Sequence, residues 1–244
     1  MLSAALLLAA LAQTAPPAAP AKPTPPAPPA PPAAPAAPAT PAAPAAPPAA
    51  PEQGFTALFN GKDLTGWVGD TAGYMVENGA IVCGPKGTNL FTAGEYSNFT
   101  LRFEFQLTAG ANNGIGIRAP LEGDAAYAGM EVQVLDSDDA RYKDWLKPWQ
   151  RHGSIYGVVA AKPNGMKPVG EWNSEEIKVT GRHVTVTLNG AVIVDADLDE
   201  ATRNGTLDGK PHPGLARTSG HIGFLGHGDR VAYRNIRVKP EPGS

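Results

Sequence analysis

Apolar and polar side chains alternate along much of the chain after residue 51, and this pattern predicts β-strands. Phe99–Leu107 (FTLRFEFQL) places apolar residues at every odd position and polar residues between them, which is the period of a strand with one buried face. Residues 129–136 (GMEVQVLD) alternate in the same way, with Glu131 and Gln133 on the side opposite three apolar residues. We therefore expect a carboxylate and an amide side by side above an apolar core.

Turn signals separate these runs at short intervals. Asn78-Gly79 and Asn189-Gly190 each lie between alternating segments, which is a strong hairpin signal, and we also expect a turn at Asn112–Gly114. No segment shows a convincing amphipathic helical pattern over ten residues. Many short strands with Gly-rich turns predict an all-β fold, an antiparallel β-sandwich or barrel. Residues 138–152 lack the strand pattern and predict a long loop that either serves a site or covers one end of the core.

The first 51 residues differ in composition from the rest and hold 17 of the 26 prolines. Residues 1–12 form a short apolar run ending in small residues, which predicts a secretory signal and an exported protein, periplasmic or extracellular. Residues 13–51 are mostly Ala and Pro, so they cannot bury a core, and we expect a disordered, extended linker. Residues 52–244 have the length of one domain.

Charge and cysteine content exclude several classes of partner and site. The net charge is −3 and no basic stripe is present, so we expect no nucleic-acid partner. The apolar run at the start is too short to span a bilayer, and we expect no stable membrane insertion once the signal is removed. Cys83 is the only cysteine, which rules out an intrachain disulfide and a Cys-based zinc site, and its apolar neighbours predict a buried thiol.

Seven short motifs, taken in order, resemble the 3-keto-disaccharide hydrolase domain family, and the resemblance extends from about Gly54 to Lys239. It implies a concanavalin A-like jelly roll of two antiparallel sheets with a sugar groove on its concave face. It also implies a carbohydrate substrate, a glycoside already oxidised to a ketone at C3. The motifs are Leu58–Leu64 with Gly66-Trp67, Asn113–Ile115 with Arg118, Glu131–Asp136, Ile155–Gly157, Gly170–Asn173, Leu188–Gly190, and His227-Gly228 followed by Arg234–Ile236.

The reaction implied by the resemblance has definite chemical needs. A C3 ketone acidifies the C2 proton; a base removes it, the enolate expels the C1 substituent, and water adds to the unsaturated sugar. The site needs a base, a donor or cation at the enolate oxygen, and an acid at the leaving group. A divalent metal ion would serve at the enolate. Glu131, Asp136, His152 and His227 are available ligands, but their spacing forms no metal signature, so the sequence leaves a metal open.

Three residues are candidates for the chemistry. Glu131 is the first choice for base or metal ligand, with a structural carboxylate paired to an arginine as the alternative. His227 could act as base, acid or ligand. Arg118 could neutralise Glu131 or stabilise an enolate, although a salt bridge is the commoner fate of such a residue.

Seven further residues are candidates for sugar binding because they offer hydrogen bonds or an aromatic face. The alternative is structural: a tryptophan can pack its loop onto the core, and an asparagine can cap a turn. His212 lies in a stretch of loop composition and draws no functional expectation. The seven are Gln133, Asp136, His152, Tyr156, Asn173, Arg234 and Trp145.

Two other functions compete with keto-sugar cleavage. Jelly-roll glucanases carry Glu-x-Asp-x-x-Glu on one strand, and the matching positions here are Glu131, Gln133 and Asp136. The lost middle carboxylate and the shorter third one weaken that two-carboxylate mechanism, and a bulge would be needed to align Asp136. A lectin-like module that binds carbohydrate without catalysis is the other alternative, since the same fold hosts both.

Overall fold

The computed structural model describes residues 52–163 and 165–242; the predicted signal and linker, residues 1–51, lie outside the described residues. The regular secondary structure of this part of the chain is mostly β. Its two α-helices, α1 (Ala125–Ala128) and α2 (Leu198–Ala201), have four residues each, and no described helix has the length and apolar character to cross a membrane. The strands are β1 Thr56–Ala57, β2 Trp67–Gly69, β3 Tyr74–Glu77, β4 Ala80–Cys83, β5 Asn89–Tyr96, β6 Phe99–Leu107, β7 Asn112–Ala119, β8 Met130–Leu135, β9 Trp172–Thr180, β10 His183–Leu188, β11 Ala191–Asp197, β12 Gly220–Leu225 and β13 Val231–Pro240.

The strands form two antiparallel sheets. The eight-stranded sheet has the order β11-β10-β9-β6-β13-β4-β3, with β1 paired to β13, and the five-stranded sheet has the order β2-β5-β12-β7-β8. Both sheets contribute to one apolar core, so the predicted antiparallel β-sandwich is confirmed. Because sequence-distant strands lie side by side in each sheet, the site residues described below come from several parts of the chain.

The core is built from the alternation seen in the sequence. All five odd-numbered residues of β6 are buried in it, as are Met130, Val132 and Val134 of β8. Each fully buried Phe or Leu side chain contributes roughly 1.5–3 kcal/mol relative to exposure. Cys83 lies in the same core, as predicted, and burial raises the pKa of its thiol.

The two Asn-Gly hairpin turns are confirmed, and both asparagines adopt the left-handed conformation, with φ of 49° at Asn78 and 48° at Asn189. The predicted turn at Asn112–Gly114 is wrong. These residues begin β7, and the chain turns just before them, where the amide of Ala111 bonds to the carbonyl of Thr108. The strand is favoured here because Asn113 is buried and accepts a hydrogen bond from the Tyr233 hydroxyl at 2.9 Å.

Candidate active site

Glu131 and Gln133 lie on the outer face of the five-stranded sheet, because the residues between them point into the core. Across one edge of β8, Glu131 is paired with Gly116 of β7. Across the other edge, the amide of Tyr156 donates to the carbonyl of Glu131 at 2.9 Å, and Val132 bridges Ile155. Tyr156 is therefore the direct cross-strand neighbour of Glu131 and shares its face.

A glycine makes room for the Glu131 carboxyl group. A Cβ atom added at Gly114 would lie only 1.9 Å from Glu131 Oε1, so the carboxyl occupies the space that a side chain on β7 would fill. Glu131 is only 4% exposed, and its Oε1 has no hydrogen-bond partner among the described residues. A buried carboxyl without a partner is costly to ionise and is a candidate for acid–base chemistry.

The pKa of Glu131 is raised to about 8, mainly because burial disfavours the charged form and secondarily because the Asp124 carboxylate is close. Asp124 precedes α1 and caps it by accepting a hydrogen bond from the amide of Ala126 at 3.1 Å. The same carboxylate acts on His227. Partial loss of solvent lowers the pKa of His227, although the residue is exposed, and the carboxylates of Asp229 and Asp124 oppose this shift. Asp124 thus links the environments of Glu131 and His227.

Gln133 connects this face to the loop that carries His227. Its side-chain amide donates to Asn112 Oδ1 at 3.0 Å, and the backbone amide of Asn112 donates to Asp229 Oδ2 at 3.0 Å. Asp229 follows His227 by two residues. The β8 side chains and the β12–β13 loop are therefore joined by a short hydrogen-bonded path through β7.

Arg118 and Asp136 both have structural partners. The Arg118 guanidinium donates to the carbonyls of Ser97, Gly181 and Arg217 and to the Asn98 side chain, which ties several loops together at one end of the sandwich. None of its hydrogen bonds reaches Glu131. Asp136 Oδ2 accepts a hydrogen bond from the amide of Gly110 at 2.8 Å and so closes the turn before β7.

Asn173 and Arg234 belong to the eight-stranded sheet rather than to the sheet of Glu131. Asn173 Oδ1 accepts from the amide of Lys167 and the side chain of Asn189, both at 2.8 Å. Arg234 bonds to its cross-strand neighbour Glu104, and its guanidinium carbon lies 3.9 Å from the centre of the Trp172 ring. Their contacts fasten strands and loops of that sheet.

His152 and Trp145, both from the long loop, have different surroundings. His152 is buried, with its ring centre 5.1 Å from that of Phe105 and its Nε2 3.1 Å from Glu175 Oε2, although the two groups are not aligned for a hydrogen bond. Trp145 is 57% exposed, and its ring packs edge-on against that of Tyr142, with the ring centres 6.0 Å apart.

The four available metal ligands are not gathered into one centre. Asp136 closes a turn and His152 faces Glu175, while Glu131 lies on the outer face and His227 lies in the loop between β12 and β13. In the part of the chain that the structure describes, no three His, Cys, Asp or Glu side chains form a metal-binding group. The arrangement of these four side chains does not fit a metal centre.

Two functional contributions were missed from the sequence. Asp124 lies in a loop whose path across the sheet has no local signal. Gly114 stands in a motif that the sequence interpretation assigned to a turn, but its role is to accommodate a carboxyl on the neighbouring strand. The pairing of β7 with β8 would have been needed to find it.

Comparison with known proteins identifies the family. Residues 54–239 match the family described as the 3-keto-alpha-glucoside-1,2-lyase-like domain. The chain belongs to this family. The resemblance drawn from the seven motifs is thus confirmed over the folded part of the chain.

Individual relatives agree with this assignment. The chain is 28% identical over 227 residues to a 3-keto-disaccharide hydrolase of Bacteroides thetaiotaomicron, covering 76% of this chain and 78% of the relative. Two crystal structures from Parabacteroides distasonis, provisionally assigned as glycosyl hydrolases, superpose with a TM-score of 0.68 each. One is 29% identical and covers 78% of this chain and 95% of its own; the other is 28% identical and covers 77% and 99%.

Proposed function

We propose that this protein is an enzyme that cleaves 3-keto-glycosides by C2 proton abstraction, elimination and hydration. Family membership and the named relative support a carbohydrate substrate carrying a ketone. The observation that carries the mechanism is the Glu131 carboxyl group, buried on the outer face of a sheet without a hydrogen-bond partner for Oε1 and with a raised pKa.

The proposed steps conserve atoms and charge. Glu131 takes the C2 proton, and the electrons of the C–H bond form an enolate with its charge on the C3 oxygen. The enolate re-forms the ketone, the C1–O bond breaks, and the leaving oxygen takes a proton. Water then adds at C1 of the unsaturated ketone, and C2 regains a proton. The net result is hydrolysis with the ketone unchanged.

The environment of Glu131 suits a base that must attack a weakly acidic C–H bond. A carboxylate whose conjugate acid has a pKa of about 8 is a stronger base than an ordinary one. The cost is that roughly a tenth of the molecules carry the ionised form at pH 7. As a base in the free enzyme, Glu131 makes kcat/KM rise with pH until about pH 8; as an acid, it would make kcat/KM fall over the same range.

The neighbouring groups complete the proposed site. The His227 imidazole has an N–H that can donate to the enolate or leaving oxygen, and Gln133 and Tyr156 offer hydrogen bonds to sugar hydroxyls. Arg118, Asp136, His152, Asn173 and Arg234 have the structural partners described above, and we assign them no direct part in the reaction.

The test uses the full chain with a 3-keto-glycoside and with the unoxidised parent glycoside, each with and without a chelator. We expect release of the leaving group from the keto sugar alone, and a loss of about 10²–10⁴-fold in kcat for Glu131→Gln. Cleavage of the parent sugar would instead indicate glucanase-type hydrolysis. Binding of both sugars without turnover would indicate a lectin-like module.

A further inference from the structure

Three aromatic rings form a corner around Tyr156, whose backbone amide bonds to Glu131 beyond the edge of β8. The Tyr156 ring is nearly perpendicular to that of Tyr127 (85°, centres 6.3 Å apart) and to that of Trp149 (89°, centres 5.3 Å apart). All three residues are half-buried. We call Tyr127, Trp149 and Tyr156 the aromatic corner.

Buried polar residues hold one side of this corner in place. The Tyr127 hydroxyl donates to Asp208 Oδ2 at 3.2 Å and accepts from Lys210 Nζ at 3.2 Å. The ring of His212 lies 4.5 Å from that of Tyr127, and His212 Nε2 is 3.2 Å from both Asp208 oxygens. The side chains of Asp208 and His212 are each 1% exposed. Tyr127 is therefore positioned by a fixed pair rather than by a mobile surface contact.

Gly157 allows this pair to approach the corner. A Cβ atom added there would lie 2.7 Å from both Asp208 Oδ2 and His212 Nε2. The other side of the corner is held through Gln150, whose side-chain amide donates to the Tyr156 hydroxyl at 3.4 Å. Segments around residues 127, 150 and 210 thus converge on the cross-strand neighbour of Glu131.

The position of the corner follows the geometry of the proposed reaction. Glu131 acts at C2, and the bond that breaks is at C1, the adjacent carbon, so the leaving group must lie beside Glu131. In the opposite direction across the sheet, Glu131 is paired with Gly116 of β7, and Gly116 is paired with Gly223 of β12. The space at these glycines is taken by the side chains of Leu225 and Phe91. The aromatic corner, on the other side of β8, is instead built from half-buried rings.

We infer that the aromatic corner is the subsite that holds the sugar leaving group of the substrate. The inference rests on the proposed function. A pyranose has an apolar face that packs on aromatic rings, while its hydroxyls match the polar groups at the edges of the corner, the Lys210 ammonium and the Gln150 amide. These edge groups favour a sugar over a purely apolar aryl group.

The test compares two substrates that differ only in the leaving group, a 3-keto-disaccharide and methyl 3-keto-glucoside. We expect Trp149→Ala to lower kcat/KM about tenfold or more for the disaccharide and less than threefold for the methyl glycoside. Tyr127→Phe, which removes only the hydroxyl, should show a smaller loss of the same selectivity. Trp145→Ala is the comparison variant from the same loop, and loss of selectivity there but not in Trp149→Ala overturns the inference.

A binding measurement separates this inference from the proposed function. The unoxidised disaccharide cannot eliminate, so its dissociation constant and that of the methyl glucoside report recognition alone. We expect the native protein to prefer the disaccharide and Trp149→Ala to lose that preference, with thermal unfolding confirming that the variant is folded. If the native protein prefers the disaccharide but turns over no keto sugar, the proposed reaction is refuted and the subsite is retained. An unchanged preference in folded Trp149→Ala refutes the subsite.

Discussion

The outer faces of the two sheets differ in whether their charged side chains have partners of opposite charge. On the eight-stranded sheet, arginines beside a cleft of ≈ 280 Å³ all have carboxylate partners: Arg102 pairs with Glu52 and Glu176, and Arg237 also pairs with Glu52. On the five-stranded sheet, Glu131 is buried without a cationic partner. Partly exposed ion pairs contribute about 0–1 kcal/mol each, whereas an unpaired buried carboxyl lowers stability when it ionises. The proposed chemistry therefore follows the state of the carboxylates rather than the position of the open cleft.

The largest expected effect concerns stability and pH. The folded state holds the Glu131 proton up to pH about 8, whereas an unfolded glutamate, with a pKa near 4.5, has released it. Between these values the folded state binds the extra proton, so stability falls as pH rises, by up to roughly 5 kcal/mol. Urea unfolding at pH 5 and pH 9 should show that Glu131→Gln has a much flatter dependence than the native protein. An identical slope in both proteins would contradict the raised pKa.

Gly114→Ala tests whether the carboxyl needs the space on β7. The new methyl group would meet Glu131 Oε1 and displace the carboxyl, and a displacement of about 1 Å can cost about a hundredfold in rate. We expect a loss of that size in kcat on a 3-keto-glycoside. Gly165→Ala is the matched control, because a Cβ at Gly165 meets nothing within 4 Å. Equal activity of the two variants would show that the carboxyl position is not critical.

Asp124→Asn should shift the pH profile without abolishing activity. Removing this negative charge lowers the pKa of Glu131, so the rising limb of kcat/KM moves to lower pH, while asparagine can still cap α1. Asp229→Asn is the control, since Asp229 acts on the pKa of His227 but is not among the causes acting on Glu131. A shift of the same limb in both variants would assign it to His227 rather than to Glu131.

Glu176→Gln on the other sheet should have the smallest effect. It removes one of two partners of Arg102, and we expect a loss of no more than about 1 kcal/mol in unfolding free energy. Activity and the pH dependence of stability should match those of the native protein. A large loss of activity in this folded variant would reverse the comparison and place the chemistry on the eight-stranded sheet.

Local patterns predicted the strands better than the turns. The alternation in β6 and β8 was enough to identify their buried faces, because the side-chain period of a strand is a local property. At Asn112–Gly114 the turn composition was misleading. The partner that favours a strand there, Tyr233, lies 120 residues away in sequence, and no local rule includes it.

The candidate site shows the same limit. The alternation of side chains along the strand placed Glu131 and Gln133 on a polar face, but it does not show which sheet a strand joins. Arg234 lies on the eight-stranded sheet, whereas Glu131 lies on the five-stranded sheet. The contributions of Asp124, Tyr127 and the Asp208–His212 pair depend on how loops pack across strands. His212 had no predicted role, although the structure buries it against Asp208. Strand register and loop packing therefore decide which polar residues share a site.

The buried thiol of Cys83 is a natural probe for opening of the core. It is the single cysteine of the chain and is fully enclosed by the core, and its raised pKa keeps it as the unreactive thiol at neutral pH. A thiol-specific reagent can modify the native protein only when the core between the sheets opens. The rate of labelling at one atom therefore reports how often the sandwich comes apart, without any engineered probe.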